Sequence, residues 1–232
     1  SSDAYIDKAD AEAVSDAFHD YVKKESLTSF AEQHWISRCA FLALAAHIDK
    51  PEFDGVRIFW AADKDAKDAT HLQWISTKGS SGNHLNQFGE NISINCEFNS
   101  VEEGINIDPT TAQTQRERFW EFYRQQNAPL NLGDQGTRDS ISAAVWFNKT
   151  DLLILKDILS NHPSLDGVNV HLGMTGSMNT TEHPGQVYPN QTTVYLIPSK
   201  ANGTQHEDDW SAIDESKAKA LNHGQMCLSI CD

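Results

Sequence analysis

Two stretches of the chain decide how the rest is read. Pro51-Glu52-Phe53-Asp54-Gly55-Val56-Arg57-Ile58-Phe59-Trp60 returns, altered, as Pro163-Ser164-Leu165-Asp166-Gly167-Val168-Asn169-Val170-His171-Leu172, 112 residues further on. The shared pattern is Pro-x-apolar-Asp-Gly-Val. Asp-Gly is turn chemistry: glycine supplies positive φ and aspartate bonds its own backbone. A strand is predicted after each turn. Val56, Ile58 and Trp60 share one face of the first, with Arg57 and Phe59 opposite. In the second, Val168, Val170 and Leu172 share a face, with Asn169 and His171 opposite.

Working outward, a helix is predicted before each turn, over 37–49 and 149–161, with Ser37 as capping candidate for the first and Asn148 or Thr150 for the second. A short segment ending in an aromatic, Trp35 or Phe147, precedes each helix. β-rich runs, HLQWIST (71–77) and TTVYLIPS (192–199), follow the turns. Further upstream, 6–22 and 107–123 align at an offset of 101: Ile6, Asp7, Ala11 and Phe18 recur as Ile107, Asp108, Ala112 and Phe119. Both read as amphipathic helices opening at an aspartate cap, with Pro109 at the first helical position. Phe18 and Phe119 are expected to be buried against their sheets, beside Tyr21, Trp120 and Phe122.

The unit that emerges is helix, strand, helix, Asp-Gly turn, strand, loop, strand. It occurs twice, so the expected class is α+β with two similar units related by internal duplication. A period of 101–112 is far beyond the 20–50 residues of solenoid arrays. The expected division is a first repeat at 1–80, a connecting segment at 81–104 and a second repeat with a C-terminal tail at 105–232. The connecting segment is rich in Gly, Ser and Asn, and its 92–98 run (ISINCEF) is a candidate extra strand.

Composition narrows the function. The 232 residues carry 33 Asp plus Glu against 18 Lys plus Arg, a net charge of −15. Only six arginines are present, and the longest Lys/Arg run is Lys23-Lys24. Nucleic-acid binding needs basic groups that displace counterions from phosphate, so no nucleic-acid partner is expected. No run approaches the apolar length of a membrane span, and no basic-then-apolar leader is read; a leader removed ahead of Ser1 stays open. Cys39, Cys96, Cys227 and Cys231 are too sparse for a disulfide scaffold, so reduced thiols and a cytoplasmic location are expected.

The sequence resembles a group of small bacterial proteins with a Gly–Val/Ile–Arg–Ile–Tyr strand and a His/Gly tail bearing two cysteines. Gly55-Val56-Arg57-Ile58-Phe59, Leu221-Asn222-His223-Gly224, Cys227 and Cys231 carry the likeness. Leu228 and Ser229 depart from it, standing where that group has prolines. The resemblance covers both halves, as two fused copies, and implies architecture without an activity.

Candidate chemistry is thin. Arg57 and Asn169, and Phe59 and His171, hold equivalent places in the repeat, and the four would line a ligand-binding groove if the units pair about a twofold axis; otherwise they belong to a solvated face or one covered by the first helix. His223, Cys227 and Cys231, spaced by four, would share a helical face and offer zinc three ligands. Gly224 weakens that helix, leaving a disulfide or a docked tail as the other outcomes. Cys39, near a helix start, is a candidate thiolate or a structural cysteine. Glu102-Glu103 and Glu207-Asp208-Asp209 read as solvated loops. Phosphate-loop, dinucleotide, serine-hydrolase and zincin signatures are lacking. The expectation is a non-enzymatic module that binds a small molecule or protein, without cofactor. The alternative is a small enzyme or metal-binding protein using an inter-repeat groove or the His/Cys tail.

Overall fold

In a computed structural model, the described residues are 5–24, 31–63, 70–80, 83–94, 105–125, 144–174, 192–213, 219–222 and 225–227. The chain order is β1 (Tyr5–Asp7), α1 (Lys8–Lys24), β2 (Gln33–Ser37), α2 (Arg38–Ile48), β3 (Gly55–Ala62), β4 (Thr70–Ser80), β5 (Asn83–Asn86) and α3 (Pro109–Gln125). It continues with β6 (Ala144–Asn148), α4 (Lys149–Asn161), β7 (Gly167–Met174), β8 (Thr192–Asn202), β9 (Gln205–Asp208), β10 (Lys219–Asn222) and β11 (Gln225–Cys227). Four helices and antiparallel sheets make this an α+β protein.

Local chemistry sets the helix starts. Asp7 Oδ1 accepts from Asp10 N at 2.9 Å, and Asp108 Oδ1 accepts from Thr110 N and Thr111 N at 3.1 and 3.0 Å. The Thr111 hydroxyl and N–H hold the exposed Asp108 carboxyl below its ordinary range. Ser37 caps α2 through Ala40 N, and Asn148 caps α4 through Asp151 N. Each satisfies a donor that the first helical turn leaves without a partner.

Strands from both halves of the sequence build each sheet. One runs β1-β10-β8-β7-β2, with β9 hydrogen-bonded to β8; the other runs β11-β6-β3-β4-β5. Thus β2 leaves the first half to pair with β7, and β6 leaves the second half to pair with β3. One apolar cluster joins Val56, Ile58 and Trp60 of β3 and Val168, Val170 and Leu172 of β7 with residues of α2 and α4. On the other faces, α1 packs against β7 and α3 against β3. Gln73 Nε2 of β4 donates to Ala112 O (3.2 Å) and Gln115 Oε1 (3.0 Å), fastening α3.

Three local expectations change. Residues 92–94 form no strand, and 95–98 lie outside the described residues. Asn106 instead clips that segment, accepting from Ile92 N and donating to Ile92 O at 2.6 Å. A strand, β5, appears earlier in the polar connection and pairs with β4. The tail is not helical where it is described: β10 joins one sheet and β11 the other. A free backbone edge, at β8 and at β6, outweighs the spacing of side chains that suggested a helix.

Candidate functional site

Both Asp-Gly pairs open a strand, and neither glycine has positive φ; among the described glycines only Gly89 and Gly203 do. Their purpose is close approach. A Cβ on Gly55 would sit 2.2 Å from Phe147 O and 2.7 Å from Trp146 Nε1. On Gly167 it would sit 2.3 Å from Ile36 O and 2.5 Å from Trp35 Nε1. Only glycine lets an indole from the other half of the chain lie on the strand start.

The aspartates turn to side chains rather than to their own backbone. Asp54 Oδ1 accepts from Thr77 Oγ1 at 2.6 Å, and Thr77 Oγ1 accepts from Trp146 Nε1 at 2.9 Å. His84 Nδ1 meets Asp54 Oδ2 at 2.6 Å, and its ring stacks on Trp146 with centroids 3.7 Å apart. The other sheet holds the same chain of contacts. Ser199 Oγ donates to Asp166 Oδ1 at 2.7 Å, Trp35 Nε1 donates to Ser199 Oγ at 3.0 Å, and His206 Nδ1 meets Asp166 Oδ2 at 2.6 Å. The His206 ring stacks on Trp35, again at 3.7 Å. In each cluster the tryptophan comes from one half of the sequence and the other three side chains from the other.

An ionised carboxylate only accepts, so each imidazole carries its proton on Nδ1 and turns Nε2 away. His84 and His206 side chains are 22% and 33% exposed. Each hydroxyl lies between the carboxylate and the indole, not on a histidine nitrogen. The arrangement therefore has an Asp–His pair but, among the described residues, no hydroxyl placed for that histidine to deprotonate. Among the described residues no group of three or more His, Cys, Asp or Glu is placed to hold a metal ion.

The second cluster opens on a groove of about 510 Å³. Gln33, His34 and Trp35 form one wall and β9 the other. Asp208 anchors that wall by accepting from Asn169 Nδ2 at 2.7 Å and from His171 Nε2 at 2.8 Å. Burial, with a smaller push from His71, holds the His34 imidazole down to about 4.

Of the residues expected to line one groove, Arg57 and Phe59 belong to one sheet and Asn169 and His171 to the other. Arg57 is buried and donates to Asn86 Oδ1 at 2.8 Å; burial pulls its guanidinium below the ordinary range, and Asp54 opposes that pull. Phe59 is buried beside Phe88 under the Arg116 guanidinium. Asn169 is fully buried, and His171 stacks on Tyr195 on the face that α1 covers. Burial pushes the Tyr195 hydroxyl up to about 12, against the lowering effect of its bond to Ser15.

Of the tail residues expected to bind metal, Cys227 lies on β11, so the helical face is lost there; His223 and Cys231 lie outside the described residues. Cys39 is disulfide-bonded, which corrects the expectation of a reduced thiol and removes it as a nucleophile. A count of cysteines says nothing of which ones folding brings together.

No local motif marks Trp35, Trp146, Thr77, Ser199, His84 and His206 as site residues. A signal for four of them exists. Thr77-Lys78 and Ser199-Lys200, then Asn83-His84-x-Asn86 and Gln205-His206-x-Asp208, recur at an offset of 122. The step from 112 to 122 breaks the alignment just after the Asp-Gly strands. Trp146, not Phe147, takes the place of Trp35: Trp35 pairs with Asn169 and Trp146 with Arg57. Matching aromatics at 112 put the register out by one, which exchanges the two faces of a strand. Comparison with family models, curated proteins and solved structures gives no match.

Proposed function

We propose that the chain is a non-enzymatic binding and assembly module: two similar α+β units, related by internal duplication, that exchange a strand and lock together through the paired Asp–His–hydroxyl–Trp clusters. The units divide as 1–80 and 105–232 with tail, joined through 81–104, and that connecting segment supplies His84 to the first cluster. One observation carries this reading. In both clusters the hydroxyl is held by carboxylate and indole, a closed structural network, instead of facing the imidazole as a nucleophile does. The partner site is the groove beside Trp35 and His206. The disulfide at Cys39 favours an oxidising compartment over the cytoplasm.

A serine-directed fluorophosphonate tests the reading, because such probes label only activated hydroxyls. Incubated with the folded protein, the reagent should leave Ser199 unmodified by mass spectrometry. Stoichiometric labelling of Ser199, lost in His206→Ala, would overturn the proposal and favour an enzyme.

A further inference from the structure

We propose that the outer edge of β2, where it borders the groove, receives an extended basic segment of a partner protein as an added antiparallel strand. Backbone phase comes first. Leu172 N donates to Glu32 O at 3.0 Å and Arg38 N donates to Asp166 O at 2.7 Å. Even-numbered residues of β2 therefore face β7, and the N–H and C=O of Gln33 and Trp35 face away from the sheet. Among the described residues β2 ends its sheet and these groups have no partner. An unpaired strand edge is a template for another strand.

The other sheet indicates the kind of occupant. There β6 stands where β2 stands, in the same phase, with Lys149 N donating to Asp54 O at 2.8 Å. Its outer edge is covered: β11 pairs Gln225 with Trp146, Met226 with Val145 and Cys227 with Ala144. Gln33, His34 and Trp35 hold the matching places on β2, and they are the residues of that strand that line the groove. The groove thus borders the stretch of edge whose counterpart a three-residue strand covers in the other sheet. This correspondence rests on the two-unit reading above.

Charge selects the sequence of the added strand. The far wall contributes Glu207 and Asp208, and among the described residues no Lys or Arg lines the groove. With a chain net charge of −15, a segment carrying Lys or Arg is attracted and an acidic one repelled.

The test is calorimetric titration of the full chain with a synthetic peptide of alternating lysine and threonine, beside an alternating glutamate–threonine peptide. The lysine peptide should saturate and the glutamate peptide should not. Gln33→Pro removes an outward N–H while leaving the bonds to β7 intact, and should weaken binding about tenfold. Glu207→Gln should weaken it about threefold. Glu207 is exposed, so this variant decides the matter if the proline variant misfolds. Absence of saturable binding, equal binding of the two peptides, or unchanged affinity in both variants overturns the proposal. So does self-association of the protein that the lysine peptide fails to disperse, since a second copy would then hold the edge. Labelling of Ser199 by the fluorophosphonate bears only on the function proposed above, and the titration only on the edge.

Discussion

At the scale of single residues, the chain spends its most constrained positions on polar contacts across strands. Gly55 and Gly167 are legible in sequence as special, but as turn residues. Their real constraint is an indole pressed on the backbone, which needs a partner more than 90 residues away in the first case and more than 130 in the second. No local pattern announces such a partner. His34 gives a measurable consequence. Its folded pKa of about 4 lies below the unfolded value near 6.5, so the unfolded chain binds a proton between those limits that the folded chain does not. Stability should therefore fall as pH drops from about 6.5 to about 4 and gain no further loss from this group below that, with a ceiling of about 3 kcal/mol. His34→Gln should flatten that part of the curve in denaturant melts at stepped pH. An identical pH slope in the variant would assign the loss to other groups.

Among the elements, the helices are the most legible in the sequence. Aspartate and proline at the start of α3, and the aspartate, serine and asparagine caps of the others, act within a single turn and need no tertiary partner. Apolar spacing then fixes which face is buried. Phe18 and Phe119 are both fully buried, as that spacing requires, and Phe119 meets Trp120 edge-on at 5.2 Å. Phe119→Ala should cost about 3–5 kcal/mol in urea unfolding, because α3 would lose its deepest contact with the core. A loss below about 1 kcal/mol would mean that α3 is fastened mainly through Gln73 and Gln115 instead. Short strands are less legible. β5, β9 and β11 are polar or very short, and each exists because an edge is offered to it, not because its own side chains alternate.

For the molecule as a whole, strand exchange governs cooperativity. β2 and β6 cross between the halves, and one apolar cluster takes residues from both sheets. Neither sheet can lose its crossed strand without exposing part of that cluster, so calorimetry should show one transition with matching calorimetric and van't Hoff enthalpies. Two resolved transitions would mean that the sheets unfold independently. The sequence by itself determined the α+β class, the helix starts and the faces of β3 and β7, because caps and apolar periodicity operate over a few residues. Only the tertiary structure decided that β2 and β6 change sheets, that the Asp-Gly pairs seat tryptophans, and that His84 and His206 join them. Those outcomes depend on contacts between residues far apart in the chain, where backbone edges and close approach, not local propensity, set the energy.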